Sequence, residues 1–244
     1  MKVLAHVTLA TLLLLGCDAA EDTKPKAPQH SEADVKARAD EVYATFRQWH
    51  DNLPDAAAEA MPCDDAEIAK LETEKNRVEF IAYQSLRHTL GEPWDGHDSM
   101  VRFMTDSKLT YPPRAELDLS KEHVIKQLMR MWGFVEYVGV VVPSHERKAE
   151  ALGPNVGSGG ALKGQLVIFR AGEPDPLCHT PFEITSSGDV TYRHEVGANS
   201  SDKKGKATYA LKQKTCSDLK TVLTERIAAL TKTLKPGLID CNSV

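Results

Sequence analysis

His88, His97 and Asp98 fall within eleven residues, with Asp95 among them, and form the nearest approach to a metal-ligand set in the chain. Zinc takes imidazole and carboxylate ligands, but it needs them on one preorganised face, as when two histidines stand four apart on a helix. Here His88 sits near the end of a predicted helix, and His97 follows the loop-forming run Pro93-Trp94-Asp95-Gly96. Two readings stand: a solvated loop, or a divalent-metal site completed by residues from elsewhere. His145-Glu146 and His194-Glu195 each lack the histidine three residues later that a helical zinc motif requires.

Other nucleophile signals are weaker. His179 follows Cys178 directly, but on a strand adjacent side chains point to opposite faces, which argues against a thiolate–imidazole pair. Gly157-Ser158-Gly159-Gly160 holds a serine between glycines, yet Val156 stands where a nucleophile elbow needs glycine. The same run has no lysine and hydroxyl residue after it to cradle phosphate, and reads as a flexible connector. Glu72, Glu74, Lys75, Arg77 and Glu79 interleave their charges as a solvated face does. Trp94, Asp95 and Tyr111 could line a shallow groove for sugar or peptide; packing of a long loop is the plainer reading. No catalytic signature stands, and no cofactor is expected.

Cys63, Cys178, Cys216 and Cys241 suit an oxidising compartment, being an even set once Cys17 is put aside. None lie at the close spacing of zinc sites, so disulfides are expected. Three pairings are open. The reading favours Cys178 with Cys216 and Cys63 with Cys241, the first tying a strand to the start of the last helix.

The elements that must position these residues follow from hydrophobic period. Ser31-Glu32-Ala33-Asp34 has capping-box form, and Val35, Ala39, Val42, Phe46, Trp49 and Leu53 then recur at helical spacing until Pro54. A second helix is expected from Asp64-Asp65 to Gly91 on the stripe Ile68, Leu71, Val78, Ile81, Ala82 and Leu86, pairing with the first as an antiparallel hairpin. A short helix over 98–105 and one from Ser120 to Met131 follow. Tyr111-Pro112-Pro113 must be extended, because proline restricts the residue before it.

From Phe134 to Val142 the chain is rich in β-branched residues, and Pro143 is expected to end that strand. Further strands are expected over 162–168, 177–185 and 190–196, separated by turns at Gly172-Glu173-Pro174-Asp175-Pro176 and Ser186-Ser187-Gly188-Asp189. Residues 199–206 read as a polar loop and 207–211 as a short strand. A final helix starts at Ser217 with Leu219, Val222, Leu223, Ile227, Leu230 and Leu234 on one face, ended by Pro236-Gly237. The fold class predicted is α+β: N-terminal helices, then a small antiparallel sheet of about four strands, covered by a C-terminal helix.

At the N-terminus, Met1-Lys2 precedes an apolar run from Val3 to Leu15 that is too short to span a bilayer and has the layout of a secretory signal. Leu14-Leu15-Gly16-Cys17 resembles the lipobox of bacterial lipoproteins. That resemblance implies cleavage before Cys17, acyl chains on its sulfur and often on its amine, and attachment without a spanning helix. Asp18 resembles the inner-membrane retention signal of enteric bacteria, a rule other lineages do not all obey. Phe169 and the run Cys178-His179-Thr180-Pro181-Phe182 resemble uncharacterised exported lipoproteins of soil bacteria, which implies no activity.

Residues 1–16 thus read as a signal peptide, 17–30 as a lipidated flexible tether with no large apolar side chain, and 31–244 as a single α+β domain. Without residues 1–16, which hold one lysine and no acid, 29 basic and 35 acidic residues remain and the net charge is −6. That balance argues against nucleic acid as partner, and against an electrostatic membrane-binding surface. The sequence therefore points to a noncatalytic envelope lipoprotein, held to the inner or outer membrane by lipid, that binds a protein or envelope component. A hydrolytic enzyme with a scattered, metal-dependent site and a small-ligand carrier are the alternatives.

Overall fold

The protein is seen in a computed structural model that describes residues 30–55, 58–68, 77–93, 109, 111–152, 157–189, 200–239 and 241. The chain divides into residues 1–31 and a compact unit, Glu32–Val244; all elements below belong to the second.

Helix α1 (Glu32–Asp51) carries Glu32 and Asp34 in its first turn, where negative charge offsets the exposed N–H groups. Its predicted stripe Val35, Ala39, Val42, Phe46 and Trp49 is buried throughout. Then the expected second helix breaks into three pieces: α2 (Asp65–Ile68), strand β1 (Arg77–Ala82) and α3 (Tyr83–Thr89). The helix-like spacing of Val78, Ile81, Ala82 and Leu86 conceals an alternation. Val78, Phe80 and Ala82 point to one face of a sheet and Ile81 to the other, and both faces are buried. Among the described residues, no long second helix forms a hairpin with α1. α3 ends as expected at Gly91, whose φ of 86° is the left-handed cap that glycine takes without strain.

After a single 3-10 turn (Arg114–Glu116) and α4 (Glu122–Phe134), β2 (Tyr137–Arg147) runs past Pro143. Proline is tolerated there for two reasons. β1 pairs with β2 only as far as Val141, so one edge of β2 is open beyond it, and the pairing on the other side shifts register between Pro143 and His145. The short pair β3 (Glu150–Ala151) and β4 (Gly157–Ser158) precedes β5 (Ala161–Arg170) and β6 (Pro176–Thr185). Helix α5 (Ser200–Leu230) and a two-residue β7 (Lys235–Pro236) complete the order.

The five-stranded sheet runs β6-β5-β2-β1-β7. β2, β5 and β6 form the expected antiparallel meander, whereas β1 is parallel to both β2 and β7. The α+β class therefore holds, with a larger, mixed sheet in place of four antiparallel strands. The expected strand over 190–196 and helix over 98–105 lie outside the described residues. The expected strand over 207–211 and loop before it are helix: Ala207 and Leu211 begin the buried stripe that Cys216, Leu219, Leu223 and Ile227 continue. One sheet face, with Phe80, Val141, Leu166, Ile168, Phe182 and Ile184, shares its buried cluster with that stripe. α5 also runs against β3, β4 and β7. The other face, with Ile81, Val138, Val140, Val167 and Phe169, packs on α1, Leu86 and Leu128.

Both disulfides form, with pairings other than the favoured ones: Cys63 with Cys178 and Cys216 with Cys241. The reason is a strap over residues 58–63. Met61 and His179 exchange backbone hydrogen bonds of 2.8 and 3.0 Å, clipping the strap to edge strand β6 and bringing the Cα atoms of Cys63 and Cys178 to 4.8 Å. The strap then reaches the end of α5, where the Asp65 carboxylate accepts from the Thr231 hydroxyl and the Lys232 N–H. Those bonds, the Thr231 hydroxyl first, hold the Asp65 carboxyl below its usual range.

Candidate functional site

Of the residues singled out for metal, His88 lies in the last turn of α3, half-buried; His97 and Asp98 lie outside the described residues, as does Cys17. Among the described residues, no three His, Cys, Asp or Glu side chains gather as a metal site would require. Cys178 is oxidised to Cys63 and offers no thiolate to His179. Gly157 and Ser158 form β4, and Gly159 packs so closely that a Cβ there would lie 1.8 Å from the Ser186 carbonyl oxygen. That run is therefore a tight backbone crossing, not a flexible connector. Tyr111 is 2% exposed and in ring contact with Tyr43 and Phe46, so it presents no surface to a ligand, while Trp94 and Asp95 lie outside the described residues. Burial pushes the Tyr43 phenol up to about 12 and raises that of Tyr111 too, so both stay neutral.

Tertiary structure gathers a polar group that sequence reasoning missed. At the end of α1, the His50 ring stacks on Tyr83 of α3, with centroids 5.7 Å apart. His50 Nε2 lies 3.3 Å from the Tyr83 hydroxyl and 3.5 Å from Glu92 Oε1, while Nδ1 faces Asp51 Oδ1 at 3.2 Å. Arg87 Nε donates to Glu92 Oε2 at 2.5 Å, and its guanidinium lies over the Tyr83 ring at 5.8 Å. His50 stands 33 residues before Tyr83, a separation that fits no short motif, which is why no spacing announced the cluster. The imidazole lies in polar contact with Tyr83 and Glu92, and the groups partner one another. Chemically the cluster ties α1 to α3 and shows a charged, aromatic surface.

A second feature lies on α5. Ser201, Lys204, Gly205, Thr208, Tyr209 and Lys212 line an open groove of about 400 Å³. Gly205 forms its floor, since nothing lies within 4 Å of where a Cβ would stand. Lys204 Nζ is 3.6 Å from Glu150 Oε1, and the Ala151 N–H donates to Thr208 Oγ1 at 3.3 Å. The lining offers two ammonium groups and three hydroxyls, and the Glu150 carboxylate beside Lys204 offsets only one of the two cations, so the balance favours an anion. The missed signal was the lysine-rich run 203–206, read as part of a polar loop over 199–206.

A third feature is buried. His179 is 8% exposed on β6, and its Nδ1 has no hydrogen-bond partner. Burial lowers its pKa, favouring the neutral ring.

Comparison with models of protein families, with curated proteins and with solved structures finds no match to this chain.

Proposed function

We propose that this chain is an exported envelope lipoprotein, anchored by acyl chains on Cys17, whose Glu32–Val244 unit binds a protein or envelope component without catalysis. The observation that carries the reading is the pair of disulfides, Cys63–Cys178 and Cys216–Cys241. Disulfides persist outside the reducing cytoplasm, the side to which a signal over 1–16 would deliver the chain. The tether over 17–30 would then leave the folded unit free to meet a partner. Attachment is assigned to lipid on the lipobox Leu14-Leu15-Gly16-Cys17; among the described residues, no helix is long and apolar enough to cross a membrane. Two or three acyl chains, at about 0.8 kcal/mol per buried methylene, anchor stably where one does not.

The test is fractionation in the native host. Wild-type protein should stay with membranes through a wash in about 0.5 M salt, which screens surface charge, and Cys17→Ser should be released by it. Retention of the Cys17→Ser form through that wash would overturn the lipoprotein assignment. Mild crosslinking of the anchored form should then yield a stoichiometric partner.

A further inference from the structure

We infer that the α5 groove between Lys204 and Lys212 seats phosphate headgroups of an anionic bilayer, so that the folded unit lies against the membrane that tethers it. The inference rests on the lipid-anchor reading above.

Charge distribution is the first support. The net charge of −6 argues against membrane attraction only if charge is spread evenly, and it is not. Residues 200–214 hold Lys203, Lys204, Lys206, Lys212 and Lys214 against the single acid Asp202. Continuation of α5 back to Ser200 makes this run one helix, which turns Lys204 and Lys212 to the groove and Lys203, Lys206 and Lys214 to its other faces.

Shape and chemistry agree. The groove is open, with apolar stems beneath its polar ends, which suits a headgroup that stays partly hydrated and does not suit an apolar ligand needing enclosure. Tyr209 is 43% exposed in its lining, and Leu152, next to the Ala151 that bonds Thr208, is 64% exposed. Lysines beside an exposed tyrosine and leucine are the composition of an interfacial surface: the cations meet phosphate, the tyrosine sits at headgroup level, and the apolar chain enters the acyl boundary. A tether over 17–30 extends at most about 50 Å, which keeps the unit within reach of the surface.

Vesicle sedimentation tests this with the mature chain carrying Cys17→Ser, so that no anchor contributes. It should bind phosphatidylglycerol-containing vesicles at low salt, release in about 0.5 M salt, and ignore phosphatidylcholine vesicles. Lys204→Gln with Lys212→Gln should weaken binding on the order of 25-fold, at about fivefold per lysine. Lys126→Gln, on α4, should bind as wild type. Gly205→Glu places an acid on the groove floor without a clash; it should abolish binding while keeping or raising Tm. Equal binding to neutral vesicles, no binding at low salt, or unchanged binding by Gly205→Glu would each overturn the proposal. A rise in Tm with inorganic phosphate but no vesicle binding would reassign the groove to a free anion. Failure of the anchor itself is read separately, as wild-type protein washing off native membranes.

Discussion

Met61 and His179 exchange both backbone hydrogen bonds across an isolated antiparallel bridge, at 2.8 and 3.0 Å. This one pairing closes part of the exposed edge of β6 and places Cys63 beside Cys178. It also leaves the His179 ring buried.

Disulfide connectivity is the most direct check on that arrangement. A digest without reductant should contain peptides joining Cys63 to Cys178 and Cys216 to Cys241; a peptide joining Cys178 to Cys216 would contradict the strap. The two bridges span 115 and 25 residues. In the chain-entropy treatment, removal of the first should cost about 5 kcal/mol and of the second about 3.5. Urea melts of the two double-alanine variants should preserve that order.

His179 should make stability fall in mild acid. Its folded-state pKa lies below the unfolded value, so below about pH 6.5 the unfolded chain binds more protons and gains free energy relative to the fold. Stability is thus held above that pH and declines as pH drops toward the folded pKa. His179→Phe should flatten that decline over the same window. An unchanged profile would show that the imidazole is not desolvated as its burial indicates.

Two glycines should respond in opposite senses. A Cβ on Gly159 would lie 1.8 Å from the Ser186 carbonyl oxygen, whereas nothing lies within 4 Å of one on Gly205. Gly159→Ala should lose about 3 kcal/mol through backbone displacement. Gly205→Ala, inside a helix, should gain about 0.5 to 1 kcal/mol. Thermal melts of both variants at one pH check the sign in each case.

Zinc separates the binding module from a metal-dependent hydrolase using His88, His97 and Asp98. Melts in excess zinc and in chelator should coincide. A site saturated a hundredfold would add about 2.7 kcal/mol and raise Tm by roughly 5 to 10 °C. Such a rise, lost in His88→Ala, would favour the enzyme.

Sequence alone determined what local periodicity and end signals encode. α1 is written in its cap and its stripe from Val35 to Trp49, and the meander in the β-branched run of β2, the alternation along β5 and the turns that bound β6. The turn at Gly172 and the end of α3 at Gly91 need backbone with positive φ, which glycine advertises. An even set of four cysteines announced disulfides. Tertiary structure decided everything that depends on which distant surfaces meet. Residues 77–82 satisfy helical and strand spacing together, and only burial between β2 and β7, with apolar groups on both faces, selects the strand. The lysine-rich start of α5 became helix because Ala207 and Leu211 found a buried cluster to join. The pairing of Cys63 with Cys178, the stacking of His50 on Tyr83 and the groove between Lys204 and Lys212 belong to the same class. Each joins groups through packing in three dimensions, and the period of a chain carries no record of which distant partner completes a contact.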